Sequence, residues 1–169
     1  MFVTSAQANK LLRKLSEEHR HLLAREQAVR TFVAATVENL EDARPPYDYR
    51  ETQARLEALE AQIRAVKHAI NRFNLSQTLP ETELTIDQAL VYLPQLSARR
   101  EKLARMRAVS PKERRESVRA TNLIEYTYAN YNPAEAEADF VTVSDELSRL
   151  QNALDLVNST VSFELALEL

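Results

Sequence analysis

The chain has 169 residues, 44% hydrophobic and 28% charged, with a net charge of −3; that is a soluble globular composition of one domain's size. It contains no glycine, cysteine or tryptophan. Glycine-built phosphate loops, disulfides, thiolate nucleophiles and Cys-ligated zinc are therefore excluded, and left-handed backbone positions must be avoided or given to Asn.

Thr4 or Ser5 can cap a first helix. Ala8, Leu15, Leu22, Val29 and Thr36 lie seven apart, with Leu12, Val33 and Leu40 four residues further on and His19 and Glu26 interrupting that second row. Leu11, Leu23, Phe32 and Val37 widen the face beyond a two-stranded seam. A helix continuous to about Asp42 is roughly 55 Å long at ~1.5 Å per residue. It must stop before Pro45-Pro46, because the residue preceding a proline avoids the helical region.

Asp48-Tyr49-Arg50-Glu51 reads as a capping box that opens a second helix. On it Leu56, Leu59, Ile63, Val66, Ile70 and Phe73 recur at spacings of 3, 4, 3, 4 and 3, the stripe of a helix that faces a partner helix. The short connector makes the first two helices an antiparallel hairpin over residues 1–76, coiled-coil-like, with its tightest pairing expected near Pro45-Pro46. Asn74 is the expected left-handed cap at its end.

Thr85-Ile86-Asp87-Gln88 starts a third helix that carries Ile86, Ala89, Leu90, Leu93, Leu96, Leu103 and Met106, with a bend expected at Pro94. Ser110-Pro111-Lys112-Glu113 suggests a short exposed helical turn. Ile124, Tyr126 and Tyr128 then alternate with Glu125, Thr127 and Ala129, as in a half-buried strand. Asn132-Pro133-Ala134-Glu135 opens a last helix with a seam of Phe140, Val143, Leu147, Leu150, Leu154, Val157 and Val161. From Val161 to Leu169 the apolar residues alternate again, so the chain leaves the helix near Asn158 and ends as a strand. The two strands could pair with each other or across a subunit boundary.

The expectation is a mostly α fold in a single helical domain, residues 1–169. The hairpin is followed by a kinked helix and basic connector (77–120) and a strand-helix-strand region (121–169). The run Ile70 to Asn74, the run Leu84 to Leu90, the Arg99-Arg100 helix, and Ile124, Val143, Leu147, Arg149, Leu150, Asp155 and Asn158 resemble a small uncharacterised bacterial family. Some of its members carry the name septicolysin. The likeness spans roughly residues 50 to 165, although Ser159 stands where an aromatic usually follows the asparagine. It implies a mostly helical, oligomeric protein and supplies no catalytic residues. An oxygen-sensitive haemolysin, as the name implies, does not suit a chain without cysteine, export signal or membrane-inserting segment.

Residues 99–119 hold nine basic residues against three glutamates, a local charge of +6 that leaves −9 on the other 148 residues. Arg99, Arg100, Arg105, Arg107, Arg114, Arg115 and Arg119 are the candidate contacts to an anion or nucleic acid, since clustered arginine neutralises phosphates. The competing reading is a solvated helix end paired with acidic neighbours or subunits. Tyr126, Tyr128 and Tyr131 could stack bases, or pack against the last helix.

Metal chemistry has thin support. Glu18-x-x-His21 is a single pair where a di-iron bundle needs two such pairs and two further glutamates. His68 lacks a carboxylate at the required spacing, and His19 sits on the first stripe, where a packed or pore-facing histidine is commoner than a ligand. Glu57 and Glu60, with Glu38, Glu41 and Asp42 as facing candidates, resemble half of a metal-dependent nucleotide hydrolase site, or solvated flanks of a seam. No Ser-His-Asp arrangement can be assembled. The reading is a non-catalytic, self-associating helical protein of the cytoplasm with no cofactor, no metal and no membrane partner. Its apolar faces exceed what one hairpin buries, so a homo-oligomer is expected.

Overall fold

A computed structural model describes residues 1–115 and 124–167. The protein is mostly helical with short antiparallel strands, and it forms two compact units, Met1–Ser76 with Val157–Leu169, and Gln77–Leu156.

In the first unit, β1 (Phe2–Thr4) runs directly into α1 (Ser5–Val29). Thr4 is the N-cap: its Oγ1 accepts from the Gln7 amide while Gln7 Oε1 accepts from the Thr4 amide. Two of the four orphan N–H groups of the helix start are thereby satisfied.

α1 ends at Val29 rather than near Asp42; a four-residue helix, α2 (Leu40–Ala43), follows separately under an Asn39 cap. The reason lies in what would face the continuation. Glu26 is already level with Tyr47 and Gln53, so residues beyond Val29 run past the start of the partner helix. The β-branched Thr31, Val33, Thr36 and Val37 add little helical preference of their own. Arg44 is extended before the two prolines, as the ring of Pro45 requires.

α3 (Tyr49–Ser76) opens with Asp48 Oδ1 accepting from the Glu51 amide. Leu56, Leu59, Val66, Ile70 and Phe73 are buried along it, as their spacing requires. α1 and α3 pack as an antiparallel pair. Its core joins Ala8 and Leu15 of α1 to Leu59, Val66 and Ile70 of α3, with Val3 and Leu165 from the chain ends. The tight end of the hairpin is therefore the one opposite Pro45-Pro46.

The ends of the chain close that core. β4 (Ser162–Glu164) pairs antiparallel with β1, in the register Phe2 to Glu164, Val3 to Phe163 and Thr4 to Ser162. Phe163 stacks on Phe73 with ring centroids 4.6 Å apart. The Met1 ammonium donates to the Leu165 carbonyl at 2.9 Å, and the Leu165 amide donates to the Met1 carbonyl at 2.8 Å. The C-terminal strand thus finds its partner in the N-terminal residues of its own chain.

In the second unit, the connection to the next helix closes through Leu79 N–H to the Leu84 carbonyl and Ile86 N–H to the Gln77 carbonyl, both 2.9 Å. Glu81 has φ 59°, the single positive φ among the described residues, so the left-handed position falls in this turn and not at Asn74. Asn74 remains inside α3, with its Oδ1 buried and no donor to it among the described residues. α4 (Ile86–Arg107) starts with the Thr85 and Gln88 capping box and continues through Pro94 uninterrupted. α5 (Pro133–Thr160) starts at Asn132, whose Oδ1 accepts from the Ala134 amide. Ala136, Val143, Leu147, Leu150 and Leu154 are its buried positions in this unit.

The segment after Pro111 is extended, not helical. β2 (Lys112–Arg115) pairs antiparallel with β3 (Glu125–Tyr128). Lys112 to Arg115 offer no apolar stripe for a helix to bury, whereas a Tyr- and Thr-bearing strand supplies their backbone with partners. β3 does not pack half-buried on α5 as its alternation implied. Every residue of both strands is exposed.

Candidate functional site

The candidate arginines do not form one helical patch. Arg99, Arg100 and Arg105 are exposed on α4, Arg114 and Arg115 lie on β2, and Arg119 is outside the described residues. Arg107 is already engaged. Its guanidinium lies 3.7 Å from the centroid of the Phe140 ring, and Nη1 donates to both carboxylate oxygens of Glu137 at 3.0 and 3.1 Å. That bracket ties the end of α4 to α5, a packing role in which the aromatic face contributes as well as the charge. Tyr131 has a similar duty, donating its hydroxyl to the Met106 carbonyl at 2.7 Å.

The ribbon of β2 and β3 sorts its side chains by register. Lys112 pairs with Tyr128, Glu113 with Thr127, Arg114 with Tyr126 and Arg115 with Glu125. Directly opposed residues share a face, and faces alternate along a strand. One face therefore carries Lys112, Arg114, Tyr126 and Tyr128, with no carboxylate among them. The other carries Glu113, Arg115, Thr127 and Glu125, where Arg115 stands opposite an acid. The rings are solvent-facing, Tyr126 42% and Tyr128 62% exposed, with centroids 6.2 Å apart. Lys112 Nζ lies 4.0 Å from the Tyr126 centroid and 5.5 Å from that of Tyr128. Lys112 was legible only as one charge in a basic run. Its parity with Arg114 matters once the segment is a strand.

Several of the carboxylates and histidines considered for metal chemistry have other partners. Glu18 accepts from Arg55 at 2.7 Å, His19 Nε2 lies 3.1 Å from Glu60 Oε1, and Glu38 Oε2 accepts from the Ala35 amide. Among the described residues no three His, Cys, Asp or Glu side chains stand close enough together to hold a metal ion. No described helix is long and apolar enough to cross a membrane.

Toward Pro45-Pro46 the hairpin opens into a cleft of about 430 Å³ lined by Leu22, Arg25, Glu26, Tyr47, Glu51 and Arg55 among others. Its organising group is Glu26, whose Oε1 accepts from the Tyr47 hydroxyl and from Gln53 Nε2, both at 2.7 Å. The carboxylate raises the Tyr47 pKa above 10.0, chiefly through that hydrogen bond. In the second unit Tyr92 donates to Glu146 at 2.7 Å, and that bond, with burial, likewise raises its pKa. These carboxylates act as fixed acceptors for phenols.

Beyond that cleft the chain displays apolar side chains to water. Val33 is 96% and Val37 95% exposed, and Phe32 and Leu40 are exposed beside them in sequence. The segment has bonds of its own. Glu38 N–H donates to the Ala35 carbonyl at 3.0 Å, Asn39 caps α2, and the Arg44 guanidinium lies 5.9 Å from the Phe32 ring centroid.

No family model matches the chain, and no curated protein matches it. Among solved structures it is similar to a functionally unknown conserved protein from Corynebacterium diphtheriae, at 16% identity with a TM-score of 0.60, over 97% of this chain and 100% of that one. At that identity the likeness speaks to the fold.

Proposed function

We propose that this chain is a non-catalytic, self-associating helical protein, and that the apolar segment Phe32 to Leu40 is where a second copy docks. The observation that carries the reading is the near-complete exposure of Val33 and Val37 in a segment held by its own hydrogen bonds. An unstructured loop would cost ordering entropy on docking, whereas a loop already tied by Ala35, Glu38 and Asn39 costs less. An apolar patch that meets its own copy about a two-fold axis buries itself twice, which is why such patches favour closed dimers. In this reading Arg25, Glu51 and Arg55, which line the cleft toward Pro46, supply the charged rim of such an interface.

The test is substitution followed by mass. Val33→Glu with Val37→Glu places two carboxylates where the interface must be dry. The doubly substituted chain is expected to elute and scatter light as a monomer while keeping its helical circular dichroism. A variant with the mass of the unmodified chain would remove this segment from the interface.

A further inference from the structure

We propose that the Lys112, Arg114, Tyr126 and Tyr128 face of the β2–β3 ribbon binds single-stranded nucleic acid, with unpaired bases on the two rings and the two cations on the adjoining phosphates. This rests on the register of the ribbon and is independent of the association through Val33 and Val37.

Three features of the ribbon carry the assignment. The first is segregation. Four consecutive residue pairs contain three cations and two carboxylates, yet both carboxylates lie on one face and the two tyrosines with two cations on the other. A solvated ribbon needs no such sorting; a surface that meets a polyanion does. The second is exposure: both rings face solvent, with the Lys112 ammonium over Tyr126, so a base can reach a π face of each, the sequence-tolerant contact on which single-strand binders rely. The third is spacing. The centroids stand 6.2 Å apart and are tilted by 50°, which is nearly twice the about 3.4 Å repeat of a nucleic-acid strand. Seating one base on each ring therefore separates neighbouring bases. A single strand allows this at little cost, and a duplex must first unstack.

Lys112 now holds its ammonium over the Tyr126 ring. An incoming base takes that place and frees the ammonium for the phosphate beside it, so the face exchanges a cation–π contact for stacking plus a charge pair. A purely electrostatic anion site would not need the rings, and an aromatic protein-docking face would not need the cations. Each ring stands opposite a cation, and the two pairs repeat at strand spacing, which favours a ligand with regularly repeated rings and charges.

The measurement is fluorescence anisotropy of labelled oligo(dT) and oligo(U) of about 12 nucleotides, titrated with the full chain at several salt concentrations. Neutralising two phosphates of a single strand gives a slope of about −1.4 in log K against log salt, so affinity should fall about sevenfold from about 50 to about 200 mM salt. Tyr126→Ala and Tyr128→Ala should each weaken binding by about tenfold. Lys112→Gln with Arg114→Gln should remove most of the salt dependence, and Thr127→Ala on the opposite face should change nothing. All these positions are exposed, so circular dichroism should be unaltered. The Val33→Glu, Val37→Glu chain should retain the intrinsic site, which keeps failure of the association reading distinct from failure of this one. Absence of binding at about 50 mM salt, equal affinity for the matching duplex, or wild-type affinity in both tyrosine variants would overturn the proposal. So would a mass change in the Lys112→Gln, Arg114→Gln chain with oligo(dT) affinity intact, which would give this face to a second copy instead.

Discussion

Leu165→Ala tests whether the terminal strand is part of the core or only lies beside it. Leu165 is 0% exposed and belongs to the cluster of Val3, Ala8, Leu15, Leu59, Val66 and Ile70. Its backbone bonds to Met1 survive the substitution, so only side-chain burial changes. Removing about three carbons at about 0.8 kcal/mol each gives roughly 2.4 kcal/mol of lost transfer energy. A partly unrelaxed cavity brings the cost to about 3–4 kcal/mol. For a chain of this size that corresponds to a fall in Tm of roughly 6–16 °C. Urea and thermal unfolding followed by circular dichroism read it directly. Leu75→Ala is the control, because Leu75 is 63% exposed on α3 in the same unit, and its cost should stay within about 0.5 kcal/mol. If the two variants unfold alike, β4 is not a structural strand and the closure of the hairpin by the chain ends is wrong.

Thr85→Ala removes the Oγ1 that accepts from the Gln88 amide, while the Thr85 N–H to Gln88 Oε1 bond of the α4 capping box can persist; the loss should cost about 1 kcal/mol in urea unfolding, with Thr85→Ser recovering most of it. Tyr92 should ionise above its ordinary 10.0, because its hydroxyl donates to Glu146. A folded-state pKa raised in this way supplies stability that is complete below pH 10.0 and is lost as pH rises through the raised value. Tyr92→Phe should therefore show a shallower alkaline loss of stability than the unmodified chain, and an identical loss would dispose of the Glu146 bond.

What was legible in the sequence was local. The Thr85 and Gln88 box, the Asp48 and Asn132 caps, and the stripe from Leu56 to Phe73 each declare themselves within a few residues. The sequence shows the interruptions at His19 and Glu26 but not what they meet. They are the rungs where α1 bonds polar partners across the hairpin, His19 to Glu60 and, one heptad on, Glu26 to Gln53. The end of α1 was misjudged because the stripe to Leu40 continues where no partner helix does. Both strand pairings escaped for a shared reason. β1 is three residues long and meets a strand at the far end of the chain, and Lys112 to Arg115 carry no apolar alternation. Register, and hence the sorting of Tyr126 and Tyr128 with Lys112 and Arg114, exists only once the pairing does. With Asn74 kept helical, the one left-handed residue among those described is Glu81, in a turn closed by Leu79 and Leu84.

The central claim is association through a displayed apolar segment, and light scattering coupled to size exclusion at micromolar concentration tests it most directly. The unmodified chain is expected to have a mass at least twice the 19.3 kDa of one chain, falling to a single chain when Val33 and Val37 become glutamate. A mass of 19.3 kDa for the unmodified chain across the accessible concentration range would contradict it.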